Sequence, residues 1–309
     1  MKILFAATGE IALDTLEELN KQGLIGACLT SPDKRGKRGN SLIPSPIKKR
    51  ALELGLEVLT FEHLNLEARK AVKLTSCDTL VSFCYGKIFG PKFLALFEKT
   101  FNIHPSILPK YRGCAPIKET ILAQDRECGI SIQEIALKCD EGDIYSSITF
   151  PLLGTETEEG LSNIVSKEAA KLAVNVLTNL ESFEKKSQVG DVSWSYLTQK
   201  EEARLSLEDD FKTIHAKIRA YYPWPKAYLM WKDEPIYLCG VFESVFNLQE
   251  ENVSEEIGKV ISLDKAKGLK IAFKGGYLYI SRLQRPTKKE LSAADFVNGN
   301  RDIIGAVLS

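Results

Sequence analysis

No apolar run in the 309-residue sequence approaches the roughly 18 residues a membrane span needs, so no membrane crossing is expected. Net charge is also missing: Lys and Arg number 41, and so do Asp and Glu. Contact with a polyanion must therefore rest on a local basic patch. Histidine is scarce, and His63, His104 and His215 lie too far apart for a local ligand motif. The seven cysteines are scattered and include no CxxC pair. Their odd number and spacing argue for free thiols in a reducing, cytoplasmic setting and against zinc, so no metal is expected. A single Gly9 follows the first apolar run, which is neither a GxGxxG fingerprint nor a Walker loop. Nicotinamide chemistry and nucleotide hydrolysis have no support from it. There is no repeat and no low-complexity tract. The opening MKILFAATGEIALDTL does not read as a signal peptide, because its apolar stretch is short and Glu10 and Asp14 follow.

What is present reads as an ordinary globular chain, 44% apolar and 27% charged. Its length suits two domains at about 150 residues each. Residues 2–7, 24–30, 57–59, 79–83 and 101–103 read as strands, with helical spacing over 11–22 and 66–74. Ser45 followed by Pro46 predicts a helix start. Strands alternating with helices imply a mostly parallel sheet, with ligands beyond its carboxyl ends. Two runs, 130–137 and 144–153, form strands with no helix between them, and a long helix is predicted over 158–177. Past a polar stretch come one amphipathic helix (208–221) and short strands separated by polar turns, which suggest a small β-barrel. Tyr221, Tyr222, Trp224, Tyr228 and Trp231, with rigid prolines among them, read as packing. His63 reads as a surface residue and His215 as a helix-face residue.

The most informative stretch is FNIHPSILPKYRGCAP at 101–116. Asn102 and His104 are two apart, so on a strand they share a face. Pro105 and Pro109 end the strand and fix the turn after it. An amide beside an imidazole supplies a donor for an oxyanion and a proton carrier near neutral pH, which is what acyl transfer requires. A nearby carboxylate would orient the imidazole. In KCDEGDIY, Asp140 is the first candidate, although Glu141 and Asp143 stand beside it.

With these residues in view, the chain resembles the formyltransferases that use 10-formyltetrahydrofolate. That family carries an Asn-x-His strand end, a Ser-Leu-Leu-Pro run and an Asp in a Leu-Asp-Thr-Gly turn. Asn102, His104, the run Ser106, Ile107, Leu108 and Pro109, and Asp140 match those places. The resemblance implies that Asn102, His104 and Asp140 are catalytic. Within the family, HPSILPKYRGCAPI, SLIPSPIK and YYPWPKAY resemble the branch that acts on methionyl-tRNA, and the likeness runs through essentially the whole chain. It departs in the first loop, which reads Ala7, Thr8, Gly9, Glu10 and Ile11 where Gly-Thr-Pro-Glu-Phe is usual, so that Ala7, Gly9 and Ile11 differ. It departs again in YGKIFGP, which has one added residue, and at Ile107, Cys139 and Glu141.

The implied fold is α/β. A Rossmann-like, mostly parallel sheet domain takes about 1–188, a linker 189–205, and a small OB-like β-barrel domain that binds tRNA 206–309. The implied reaction moves a formyl group from 10-formyltetrahydrofolate, a co-substrate, to the α-amino group of methionyl initiator tRNA. Ser106, Ile107, Leu108 and Pro109 with Lys87, Ile88 and Phe89 are expected to border the folate. Lys34, Arg35, Lys37 and Arg38 form a basic loop expected to meet tRNA phosphates, although alone it would read as a solvated segment. A cytoplasmic monomer without metal is expected. The alternatives are a sugar-nucleotide N-formyltransferase, against which IPSPIK and WPKAY speak, and a non-catalytic nucleic-acid-binding protein, against which the Asn, His and Asp set speaks.

Overall fold

The computed structural model describes residues 1–36 and 42–309. The chain divides into two compact units. The first takes Met1–Pro116, Cys128–Phe150 and Ser162–Tyr196, and the second takes Ile117–Glu127, Pro151–Leu161 and Leu197–Ser309.

In chain order the first part runs β1 (Ile3–Ala7), α1 (Leu13–Lys21), β2 (Ile25–Thr30), β3 (Lys34–Arg35), β4 (Leu42–Ile43), α2 (Pro46–Glu53), β5 (Val58–Thr60), α3 (Leu66–Leu74), β6 (Thr79–Phe83), α4 (Pro91–Leu94) and β7 (Lys99–His104). It continues with β8 (Arg112–Gly113), α5 (Pro116–Leu122), β9 (Glu127–Glu134), β10 (Ile144–Pro151), α6 (Glu158–Thr178) and β11 (Trp194–Ser195). Every residue of β1 and β6 is buried, as expected of central parallel strands covered on both faces. The helix start at Ser45 forms as the sequence predicts: Ser45 Oγ accepts from Lys48 N at 3.0 Å and Pro46 occupies the first turn. Asn65 caps α3 in the same way, its Oδ1 accepting from Ala68 N at 3.1 Å.

Among the described residues the main sheet of the first unit has the order β10-β9-β7-β6-β1-β2-β5. The strands from β5 to β7 are parallel, and β9 runs antiparallel to β7. Strand order reverses between β1 and β6, which opens a crevice at their carboxyl ends. Thr8 follows β1 directly at that edge. Its Oγ1 donates to the Tyr85 carbonyl at 3.1 Å and lies 3.0 Å from Ser31 Oγ. Strand β7 ends on His104 at this same edge of the sheet.

One strand is displaced from its expected place. The sequence predicts it over 130–137, but β9 ends at Glu134. There Glu134 N donates to the Asp143 carbonyl at 2.8 Å, and the chain folds back on itself. A Cβ at Gly142 would stand 1.8 Å from the Glu134 carbonyl oxygen, so only glycine fits that approach. Residues 135–143 therefore form a loop closed at its base.

The second unit contains α7 (Phe211–Ala220), β12 (Tyr228–Trp231), β13 (Glu234–Val241), β14 (Val260–Asp264), β15 (Gly268–Phe273), β16 (Gly276–Gln284), β17 (Leu291–Ser292) and α8 (Ala293–Gly299). Helix α7 starts later than the predicted residue 208 because Asp210 caps it, its Oδ1 accepting from Thr213 N at 2.9 Å. The sheet is antiparallel, in the order β12-β13-β16-β15-β14 with β17 beside β16. Phe211, Ile214 and Ile218 of α7 pack with Leu229, Leu238, Ile271 and Ile280 in one apolar core. Of the aromatic group read as packing, Tyr221 and Trp231 are buried, whereas Trp224 is exposed. Among the described residues no helix is long and apolar enough to cross a membrane.

Candidate active site

The register of β7 against β9 pairs Asn102 with Gln133 and His104 with Ser131. Directly opposed residues share a face, so Asn102 and Gln133 reach the same point above the sheet. That point is Asp140. Its Oδ1 accepts from Asn102 Nδ2 at 3.1 Å and from Gln133 Nε2 at 2.7 Å, while Oδ2 accepts from Gly113 N at 2.9 Å. Asp140 holds φ 52°, a left-handed conformation that aspartate adopts more readily than most residues.

His104 completes the group. The His104 and Asp140 side chains are only 5% and 8% exposed, and His104 Nδ1 stands 3.6 Å from Asp140 Oδ1. Its Nε2 lies 2.9 Å from the Tyr111 carbonyl oxygen. A carbonyl only accepts, so Nε2 carries the hydrogen in the neutral ring. Nδ1 is then the atom that gains or gives up a proton, and it faces Asp140 across a gap longer than a hydrogen bond. The rival carboxylates point elsewhere: Asp143 Oδ1 accepts from Ser187 Oγ at 2.9 Å, and Glu141 Oε1 meets Arg112 Nη1 at 3.2 Å. The geometry thus separates the acidic residues that sequence spacing left open.

Cys139, where the family has Leu, donates from Sγ to Asp140 Oδ2 at 3.2 Å. Partial desolvation, then the neighbouring Asp140 charge, push the thiol of the exposed Cys139 up to about 12, so at neutral pH it is a donor and not a thiolate.

The residues expected at the folate divide into two groups. Ser106 Oγ donates to the Lys110 carbonyl at 2.6 Å, and Leu108 N donates to Ser131 Oγ at 3.2 Å. Leu108 also lines a cleft of about 610 Å³ with Tyr145, Ser147, Lys186 and Gln188. Ile107 packs over Gly129, and Pro109 follows a cis peptide bond. In the other group, Lys87 Nζ donates to the carbonyls of Phe61 and Glu62, Ile88 is 86% exposed, and Phe89 is buried against Tyr85 with ring centres 5.4 Å apart. Lys34 and Arg35 are exposed on β3, paired with Ile43 and Leu42. Lys37 and Arg38 lie outside the described residues.

Several residues of the site were not singled out by sequence. Gln133 left one signal, a long polar side chain within the buried run of β9. Arg112 and Gly113 pair in parallel with Trp194 and Ser195, so β11 closes the site from the far end of the first unit. Ser193 Oγ accepts from Tyr111 N at 2.9 Å, and Ser195 Oγ accepts from Ala115 N at 3.0 Å. Gln188 Nε2 donates to the Asp140 carbonyl at 2.8 Å. Those contacts join residues more than 40 apart in sequence, where local pattern carries no information.

A doubly wound sheet with Asn, His and Asp converging at its carboxyl edge, followed by an antiparallel second unit, defines a class. The chain belongs to the formyl transferase family: residues 1–177 match Formyl transferase, and residues 198–301 match Formyl transferase, C-terminal domain. It is 34% identical over 316 residues to methionyl-tRNA formyltransferase of Borrelia recurrentis, covering 100% of both chains. The protein of that name from Treponema denticola is 32% identical, with 98% of each chain covered. A solved methionyl-tRNA formyltransferase from Clostridium thermocellum shares the fold, with a TM-score of 0.56 at 17% identity over 78% of this chain and 92% of that one.

Proposed function

We propose that this chain transfers the formyl group of 10-formyltetrahydrofolate to the α-amino group of methionine esterified to initiator tRNA, supporting translation initiation. Full-length likeness to proteins of that name favours this reading, and the observation that carries it is the convergence of Asn102 and His104 on Asp140. The neutral amine attacks the formyl carbon. Asn102 Nδ2 has two hydrogens, one held by Asp140, and the second is available to the developing oxyanion. Protonated His104 also stabilises that oxygen, and Nδ1 helps move a proton from the incoming amine to the departing folate nitrogen. The carbon–nitrogen bond to folate breaks, leaving a formamide and a folate N–H. The formyl carbon is already activated on its carrier, so this route requires no metal.

In this reading Ser106, Ile107, Leu108 and Pro109 with Lys87, Ile88 and Phe89 border the folate, and Lys34, Arg35, Lys37 and Arg38 meet tRNA phosphates. The sequence suggests a catalytic domain over about 1–188. The pairing of β11 with β8 favours extending it to Tyr196. We read the antiparallel sheet of the second unit as an OB-like barrel that binds tRNA. The register shifts around Gly240 in β13 support this, since bulges bend strands toward closure. The seven free cysteines suit a reducing cytoplasm, and a monomer suffices because one chain supplies every residue named.

The test compares methionyl initiator tRNA with an amino-sugar nucleotide as formyl acceptor. Saturable transfer to the tRNA alone is the expected result. Transfer to the sugar nucleotide alone, or to neither, would overturn the assignment.

A further inference from the structure

Residues 178–197 fall between the two family matches, yet they contribute to the site. Gln188 is the clearest case. Its Nε2 donates to two backbone carbonyls of the catalytic turn, those of Asp140 and Gly142, both at 2.8 Å. Its Oε1 accepts from Arg112 Nε at 3.2 Å and Nη2 at 2.7 Å. The buried Arg112 also meets Glu141 through Nη1 at 3.2 Å, so it grips the same turn a second time.

We propose that Gln188 is a positioning residue for formyl transfer, clamping the Asp140 turn to Arg112 and so fixing where the Asp140 carboxylate stands. The assignment rests on the formyl-transfer reading above. A carboxamide suits this task because it donates on one side and accepts on the other. The carbonyls of Asp140 and Gly142 need donors, and the Arg112 guanidinium needs an acceptor. The clamp matters because Asp140 adopts φ 52°, outside the conformations most side chains prefer, and such a backbone persists only where its surroundings over-determine it. The carboxylate itself is held from four places, by Asn102, Gln133, Gly113 and Cys139. Gln188 holds the backbone that carries it. Arg112 and Gly113 are adjacent, so one short strand anchors Gln188 through its side chain and Asp140 Oδ2 through its backbone. Loosening the turn would move Oδ1 relative to His104 Nδ1, and displacements of about 1 Å at a reacting centre reduce turnover by roughly 10²-fold.

The experiment uses the full chain, charged initiator tRNA and 10-formyltetrahydrofolate, with Gln188→Ala and Gln188→Glu. Glutamate keeps an acceptor for Arg112 but loses both donors to the turn. Each variant is expected to lower kcat by roughly 10²-fold, with KM for both substrates and the melting temperature little changed. Wild-type kcat in either folded variant would overturn the clamp. So would recovery of activity by Glu over Ala, since holding Arg112 would then be the whole role. A wild-type chain that formylates no charged tRNA would overturn the function and the clamp with it, whereas an active wild type beside an active Gln188→Glu overturns the clamp alone.

Discussion

Asn102 donates from Nδ2 to Oδ1 of Asp140 at 3.1 Å, across 38 positions of sequence. The hydrogen bond orients the amide and leaves its second hydrogen for a substrate oxygen. Asn102→Ala should lower turnover by about 10²–10³-fold, the usual loss for one oxyanion donor. His104→Ala should lower it by about 10²–10⁴-fold through loss of the proton carrier. Circular dichroism should show both variants folded. A folded variant with wild-type turnover would remove that residue from the mechanism.

Asp140 and Asp143 should behave differently despite lying three apart. Asp140 accepts from three side chains and a backbone amide at the centre of the site, whereas Asp143 accepts from Ser187. Asp140→Asn keeps the shape but turns one acceptor oxygen into a donor facing other donors. Turnover should fall by at least about 10²-fold, while Asp143→Asn stays close to wild type. Parallel steady-state assays decide, and the reverse ranking would sink the assignment.

The basic loop should act through charge. Lys34 and Arg35 are exposed; each tRNA phosphate they would neutralise would release counterions, so tRNA affinity should fall as salt rises. The double variant Lys34→Ala/Arg35→Ala should flatten that salt dependence by roughly one to two units of slope. The Michaelis constant for tRNA should rise and that for folate hold. Arg38→Ala should be the most damaging single change, because a guanidinium grips a phosphate through two parallel hydrogen bonds. Kinetics at several salt concentrations test both, and unchanged slopes would make the loop a solvated segment.

A buried histidine in the second unit sets an acid limit on stability. His215 Nδ1 accepts from Arg219 Nε at 3.1 Å, and Nε2 donates to the Glu243 carbonyl at 3.2 Å. That pattern requires the neutral ring. Burial, then the Arg219 charge, lower its pKa from 6.5 to about 3. Folding therefore favours the uncharged form. This contribution is complete above about 6.5 and is lost as pH falls toward about 3, at about 1.4 kcal/mol per pH unit within that window. His215→Gln keeps one donor and one acceptor without titrating. Urea midpoints at pH 7 and pH 4.5 should fall less in the variant than in wild type. Equal acid sensitivity in the two proteins would refute the role.

Much of the first unit was legible because parallel strands are continuous apolar runs and helix starts carry side-chain caps. The segments at Ile3–Ala7 and Thr79–Phe83 and the cap at Ser45 are local signals, and they formed as read. Asn102 and His104 were legible because alternation along a strand dictates a shared face. The extent of β9 was not, since its end is set by Gly142 pressing on Glu134 after the chain has folded back. Neither were Arg112, Ser193 and Gln188, which meet only through tertiary structure. Helix α8 follows a Ser292 cap, whose Oγ accepts from Asp295 N at 3.1 Å, but its seven residues are too short to stand out by periodicity among the strands around it.

The pairing of β8 with β11 bears on how relatives can be recombined. The stretch between the two family matches looks like a natural seam for chimeras, one parent supplying residues up to 177 and the other those from 198. A crossover before Gln188 would join one parent's Arg112 to the other parent's carboxamide and serines. Such hybrids would inherit a mismatched clasp even if each half folded as in its source. A junction just past Tyr196 keeps Arg112, Gln188, Ser193 and Ser195 from a single ancestor, and there residues 197–309 can be exchanged with the catalytic turn intact, while 117–127 and 151–161 of the second unit stay with the first parent.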